Sequence, residues 1–279
     1  LAGPAGAATY VYENPTPITI NDAPSVGVPA TASPYPSVVT IPTLPRFASP
    51  ASGVKITLQG VTHTSAADIG VALRSPRGTT YQLLANAGGT GPVTDATLTF
   101  TAPAGVSMLI PYAGPMVSGT YPPSAYTETG SAGHWSPWLS SVYVEQGAWG
   151  LLVGDDEPDD IGTIARGWKM EFSATPANAI FQSAIVIKKK AGSARLRVRT
   201  PNAGTLTLER SKTVKGMSIV VPKWGSYVIP IKARGKTLTK LNRRGRAQIS
   251  AIVRFETPGA PAYLMSTKVN LVKKLKKKH

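Results

Sequence analysis

Hydrophobic and polar residues alternate along most of the chain, which is the two-residue period of a half-buried β-strand. Val54, Ile56 and Leu58 fall on one side of such a strand, and polar residues stand between them. Four further segments of the first half share this alternation: 69–73, 98–100, 149–153 and 168–172. The pattern predicts a β-sandwich whose core includes Trp149 and Trp168.

The last hundred residues show the same two-residue alternation, and in one segment the polar positions are all arginines. Leu196 and Val198 alternate with Arg195, Arg197 and Arg199, and segments 227–234 and 247–255 repeat the arrangement. This pattern predicts a second, smaller antiparallel β-sandwich of about 95 residues. No segment keeps helical spacing for three turns, so the predicted fold class is all-β.

Composition excludes several classes of protein. Glycine (27) and proline (25) are frequent among the 279 residues, which favours short strands joined by turns. Because cysteine is absent, the chain has no disulfide framework, thiolate metal site or cysteine nucleophile. No apolar run of about 18 residues occurs, so no transmembrane segment is predicted.

The net charge of +16 is the sum of two opposite charges. Up to Ile180 the sequence contains six basic and twelve acidic residues, whereas the remainder contains 24 basic residues and only Glu209 and Glu256. This change of sign predicts a domain boundary. The predicted domains are residues 1–177 with a proline-rich beginning, residues 178–273, and a basic tail at 274–279.

Two ordered motifs carry a family resemblance in the first domain. The first motif comprises His63, Asp68, Ser75, Pro76, Gly78 and Thr79. The second comprises Gly147, Trp149, Leu151, Val153, Asp155, Gly162, Trp168 and Phe172. With these residues the domain resembles the P domain of proprotein convertases and other subtilisin-like proteases. The resemblance implies a jelly-roll β-sandwich, which in those enzymes follows a separate catalytic domain.

Short motifs give the second domain a looser resemblance. They are the turn at 203–206, Gly225 with Tyr227, segment 231–235, and Leu241 with Gly245. They are similar to the basic immunoglobulin-like domains at the C-terminal ends of exported actinobacterial proteins. That resemblance implies export and a fold, but no activity.

Catalytic groups are scarce in the sequence. A serine nucleophile requires a nearby base, and only His63, His134 and His279 could supply it. No Gly-x-Ser-x-Gly signature occurs. We therefore predict that the protein is not an enzyme.

An acidic loop follows segment 149–153 and is a candidate calcium site. Asp155, Asp156, Asp159 and Asp160, together with Glu157, place hard oxygen ligands within six positions, although not at EF-hand spacing. Like charges so close together repel unless a cation neutralises them. The alternative is a solvated acidic turn, and no other cofactor is predicted.

Two other groups of residues are candidate binding sites. Trp135 and Trp138 lie in a glycine-containing loop, where they form either a recognition surface or local packing. The row Arg195, Arg197 and Arg199, with Lys232 and Arg234 on a neighbouring strand, suits a polyanion. An inert basic face is the alternative, and the absence of a known nucleic-acid motif disfavours nucleic acid.

These observations favour a non-catalytic, exported bacterial protein whose basic domain contacts an anionic envelope polymer or an acidic protein surface. Under this hypothesis the protein is secreted or on the cell surface, and a signal peptide precedes Leu1 and is removed. One alternative is the C-terminal accessory part of a subtilisin-like protease, stabilising or regulating its catalytic domain. Another is a self-assembling filament in which the acidic domain of one copy binds the basic domain of the next.

Overall fold

The computed structural model describes residues 7–102, 108–130 and 139–275. The chain divides into two compact units. Within the described ranges, the acidic unit comprises residues 9–44, 50–102, 108–130 and 139–174, and it holds twelve of the 14 acidic residues. The basic unit comprises residues 7–8, 45–49 and 175–275. None of the helices in the described ranges is long and apolar enough to cross a membrane.

Two sheets build the acidic unit. The seven-stranded sheet contains β1 (Ala8–Asn14), β2 (Ile18–Ile20), β5 (Ser52–His63), β8 (Val93–Thr101), β9 (Gly119–Tyr121), β12 (Gly162–Ile164) and β13 (Trp168–Ala174). The six-stranded sheet contains β3 (Ala30–Thr31), β4 (Ser37–Ile41), β6 (Ile69–Arg74), β7 (Thr80–Ala85), β10 (Ser124–Ala125) and β11 (Gly147–Asp155). Short 3₁₀ turns occur at Ala66–Asp68 and Leu139–Ser141.

The largest buried side chains of this unit come from both sheets. Trp149 on β11 and Trp168 on β13 are almost completely buried, as predicted. Trp168 Nε1 donates a hydrogen bond to the hydroxyl of Ser37 on β4, so it joins one sheet to the other. Trp149 Nε1 donates to the carbonyl of Glu145. The predicted β-sandwich is confirmed, and the jelly-roll connectivity stays a prediction.

The basic unit has a three-stranded and a four-stranded sheet. The first contains β14 (Phe181–Lys188), β15 (Ser193–Thr200) and β18 (Gly225–Lys232). The second contains β16 (Gly204–Leu208), β17 (Met217–Val221), β19 (Arg246–Glu256) and β20 (Tyr263–Val272). Inward residues of both sheets, including Leu196, Ile229, Val253 and Phe255, form one buried cluster. This alternation is the predicted one, and the all-β class is confirmed.

The basic unit also contains helix α1 (Gly235–Arg244), which sequence reasoning missed. Its apolar residues Leu238 and Leu241 lie one turn apart, but its ten residues make fewer than the three turns of helical spacing that sequence reasoning required. The helix ends where Gly245 adopts φ 70° and donates its N–H to the carbonyl of Leu241. Arg243 and Arg244 in the last turn favour the helix by facing the negative end of its dipole.

Residues 45–49 lie within the basic unit although the sequence places them among the acidic residues. Asn202, which is buried, accepts a hydrogen bond from the Arg46 N–H and donates to the carbonyls of Arg46 and Ala177. Phe47 and Pro176 form an isolated β-bridge. The basic unit is therefore discontinuous in sequence, which a change of net charge cannot predict.

Candidate functional site

Positive charge is concentrated on the outward side of the three-stranded sheet, which we call the basic face. Arg195, Arg197 and Arg199 on β15 are exposed, whereas Leu196 and Val198 between them are completely buried. Burial of the apolar residues in the core fixes the direction of the arginines, because side chains of a strand alternate between its two sides. The three predicted guanidinium groups therefore form one row.

Strand register adds two lysines at one end of this row. Lys188 on β14 and Lys232 on β18 both pair with Ser193, the first residue of β15. Both lysines are exposed. Lys232 was predicted as part of the site, but Lys188 was not, because strand pairing cannot be read from the alternation of a single strand.

Arg234 does not join the basic face. It follows the end of β18 and stands before α1, and its Nη1 donates to the carbonyl of Ser211 at 3.4 Å. The alternation of Lys232 and Arg234 suggested one continuous strand. The strand ends at Lys232, and the N–H of Arg234 donates to the carbonyl of Thr213 just before the helix begins at Gly235.

The acidic residues of the basic unit form ion pairs away from the basic face. Glu209 accepts a hydrogen bond from Arg254 at 2.9 Å, and Glu256 accepts one from the same guanidinium at 2.8 Å. Arg254 belongs to β19 in the other sheet. Within the described part of the chain, Arg195, Arg197 and Arg199 therefore have no ion pair.

A groove of about 800 Å³ opens at the lysine end of the row. Its charged lining residues are all basic: Lys188, Lys189, Lys190, Arg195, Lys232 and Lys274. The N–H of Lys274 donates to the carbonyl of Lys189, so the segment that follows β20 lies beside the β14–β15 turn. Cations gathered in this way repel one another, and a bound anion would relieve that repulsion.

Sequence reasoning placed the exposed aromatic residue Trp224 of the basic unit in no candidate site. Trp224 is about half exposed, and the guanidinium carbon of Arg46 lies 4.5 Å from the centre of its ring. This distance is typical of a cation–π contact. The predicted aromatic site, Trp135 and Trp138, lies outside the described residues and stays a prediction.

His63 and Asp155 form a buried pair in the acidic unit. His63 Nδ1 lies 2.7 Å from the carbonyl oxygen of Ser65, to which it donates, and Nε2 lies 3.2 Å from Asp155 Oδ2. Both side chains are completely buried. Nε2 and Oδ2 are within ion-pair distance but are not aligned for a hydrogen bond. His63 is thus a buried residue at the end of β5, and Asp155 ends β11.

Asp156 and Asp160 of the acidic loop lie close to Asp68. Burial raises the pKa of Asp156 to about 6, and the charges of Asp68, Asp155 and Glu157 add to the rise. Burial likewise raises the pKa of Asp68, where Asp160 and Asp155 contribute. Asp68 was not among the predicted ligands, because β-strand pairing rather than sequence proximity brings it here.

These carboxylates form a cluster but no defined metal site. Asp159 is exposed with φ 72°, and the N–H of Asp160 donates to Asp22 Oδ1 at 3.3 Å. Among the residues that the structure describes, no group of three or more His, Asp or Glu side chains has an arrangement that could hold a metal ion. Calcium binding by Asp155, Asp156, Asp159 and Asp160 stays a prediction.

Comparisons with known proteins leave the chain without a family. No family model and no curated protein matches the sequence. A solved structure that matches is a GH2 β-galacturonidase from Eisenbergiella tayi bound to galacturonate, at 9% identity and a TM-score of 0.24. The match covers 94% of this chain and 43% of that one. At this TM-score the likeness supports no conclusion about fold or function.

Proposed function

We propose that the protein is a non-catalytic binding protein of the bacterial cell surface, and that its basic face binds an anionic polymer. The observation that carries the proposal is the row Arg195, Arg197 and Arg199, which is exposed and has no ion pair in the described ranges. Exposed cations attract a polyanion at long range and steer its approach. The groove lined by Lys188 and Lys232 extends the same surface.

Two features favour this function over an inert basic surface. First, a solvated surface normally mixes both signs of charge, whereas β14, β15 and β18 contain no acidic residue. Second, the two glutamates of the basic unit bind Arg254, so they do not neutralise the row. The positive potential of the basic face is therefore available to a partner.

The test compares two variants that lose the same charge. The first carries Arg195→Gln, Arg197→Gln and Arg199→Gln. The control carries three substitutions of exposed cations outside the basic face: Lys236→Gln, Arg246→Gln and Lys268→Gln. Binding of fluorescently labelled poly(glycerol phosphate) and polygalacturonate is measured by anisotropy over a range of salt concentrations.

A cation close to an anionic surface contributes about 1 kcal/mol, so the first variant should bind about 100-fold more weakly than the wild type. The control should lose much less, and the affinity of the wild type should fall as salt rises. Equal losses in both variants would show that net charge alone attracts the polymer, and the proposed role of the basic face would then be wrong. Circular dichroism and thermal unfolding establish that both variants are folded.

A further inference from the structure

We infer that the polymer bound by the basic face is a phosphodiester chain with six bonds between successive phosphorus atoms, of the poly(glycerol phosphate) type. This inference rests on the proposed function and names the chemical class of its ligand. It follows from the spacing of cations along β15 and from the side chains that flank them.

Cations on the basic face repeat at a fixed interval. Neighbouring outward residues of a strand are two positions apart, which places six backbone bonds and about 6.7 Å between their Cα atoms. Arg195, Arg197 and Arg199 occupy three such positions. The fourth is Ser193, which is flanked in register by Lys188 and Lys232. We call these four positions the cationic steps, since each one carries a cation or is flanked by two. Together they span about 20 Å along the strand.

A poly(glycerol phosphate) chain has a matching repeat. Its phosphorus atoms are joined through an oxygen, three carbons and an oxygen, which is also six single bonds of similar length. An extended chain lying along β15 therefore places one phosphate at each cationic step. A guanidinium group can bind two phosphate oxygens at once, which suits arginine at these positions. Polyphosphate has only two bonds between phosphorus atoms, so most of its charges would face no cation.

The residues beside Arg195 and Arg197 are small and aliphatic. Arg195 is flanked in register by Val186 and Pro230, and Arg197 by Ala184 and Val228. The side chains of Val186 and Val228 are about half exposed, at 50% and 43%. Such positions can contact the methylene groups of a glycerol spacer.

Nucleic acid shares the six-bond repeat but also carries bases. Proteins that bind single strands without sequence preference stack successive bases on aromatic side chains. In the described part of the basic face, Phe181 pairs with Arg199 and the exposed Trp224 precedes β18 at the same end, so no exposed aromatic residue flanks Arg195 or Arg197 in register. A polymer without bases therefore fits this surface better than a nucleic acid.

The lysine-lined groove provides room beyond the fourth step. It shares Arg195, Lys188 and Lys232 with the row and adds Lys189, Lys190 and Lys274. A terminal phosphate carries a greater charge than a phosphodiester, and three additional ammonium groups can balance it. We therefore assign the phosphate end of the polymer to this groove.

The first experiment measures the affinity of glycerol phosphate oligomers that contain one to eight phosphates. Affinity should rise with each phosphate up to about five, because four cationic steps and the groove are then filled, and it should change little for longer oligomers. Oligogalacturonates and linear polyphosphates of equal charge should bind about tenfold more weakly. Abasic oligodeoxynucleotides, which keep the six-bond repeat, should bind as the glycerol phosphates do.

The second experiment moves one charge without changing the total. Arg197→Gln should weaken binding of the glycerol phosphate pentamer about tenfold, and adding Ser226→Arg should not restore it. Ser226 is exposed and pairs with Arg199. The new cation therefore lies beside Arg199, and position 197 still has no cation. Arg246→Gln, an exposed site on β19, is the matched control.

The outcomes separate this inference from the proposed function. If none of the anions binds, the proposed function is wrong. If all anions of equal charge bind alike and Ser226→Arg restores affinity, the basic face binds polyanions but the inference about spacing is overturned. If oligonucleotides with bases bind more tightly than abasic ones, the ligand is a nucleic acid and the inference is likewise overturned.

Discussion

Replacement of Asp156 by asparagine should stabilise the acidic unit at neutral pH. Asp156 is partly buried beside Asp68, Asp155 and Glu157, and these surroundings disfavour its ionised form. Asparagine has nearly the same shape and carries no charge. The substitution therefore removes the cost of burying a charge, together with the repulsion from the neighbouring carboxylates, and leaves the packing unchanged.

The size of the effect follows from the pKa. The pKa of Asp156 is about 6 in the folded protein, against an ordinary value of 3.8. A difference of one in pKa corresponds to about 1.4 kcal/mol, so the ionised carboxylate opposes folding by at most about 3 kcal/mol. Solvent screens a partly exposed group, and we therefore expect the variant to gain about 1–2 kcal/mol.

The direction in which stability changes with pH also follows from the raised pKa of Asp156. A carboxyl group with a higher pKa in the folded state binds its proton more tightly there, so folding becomes more favourable as pH falls. The destabilisation of the wild type is complete above pH 6 and disappears as the pH falls towards 3.8. The difference between variant and wild type should therefore be largest at neutral pH and absent near pH 3.8.

Urea unfolding followed by tryptophan fluorescence measures this difference in the presence of a chelator. Glu128→Gln, which removes an exposed carboxylate, is the control and should have little effect. If Asp156→Asn is destabilising at pH 7.5 under these conditions, the reasoning from the raised pKa is refuted.

Calcium gives a second test, because binding to the folded state raises its stability. If the calcium hypothesis is correct, calcium should stabilise the wild type more than the variant.

Two further predictions concern the fold. Gly162→Ala would place a methyl group against the buried ring of His63, so thermal unfolding should show a loss of about 3 kcal/mol, whereas Gly91→Ala, with open space around it, should lose little. Asn202→Ala leaves backbone groups of Arg46 without their partner and should cost about 1–3 kcal/mol in urea unfolding. The same variant should be cleaved by trypsin after Arg46 faster than the wild type, and unchanged cleavage would show that Asn202 does not hold this segment.

The alternation of residue types was sufficient to predict strands and their inward sides. Leu196 and Val198 had to face a core because apolar side chains leave water, and a strand then exposes the arginines between them. The same reasoning placed Trp149 and Trp168 inside the acidic unit. It could not find α1, since a helix of ten residues makes fewer than three turns and repeats its apolar position only once, at Leu238 and Leu241.

Other features depend on contacts between residues that are distant in sequence. Asp68 joins the acidic loop through the pairing of β6 with β11, and Arg46 joins the basic unit through Asn202, 156 positions away. Neither the charge count nor the spacing of motifs contains this information. The domain boundary and the calcium ligands were predicted from residues that are neighbours in sequence. These predictions therefore could not include Arg46 or Asp68.

The order of the amino acids was sufficient to predict the all-β class, the opposite charges of the two halves and the row of arginines on β15. Each of these depends only on the order of residue types along one segment. The tertiary structure decided that Lys188 and Lys232 flank the row and that Glu209 and Glu256 bind Arg254 instead of neutralising it. Strand register and sheet assignment set those distances, and both result from packing of the whole unit around its core.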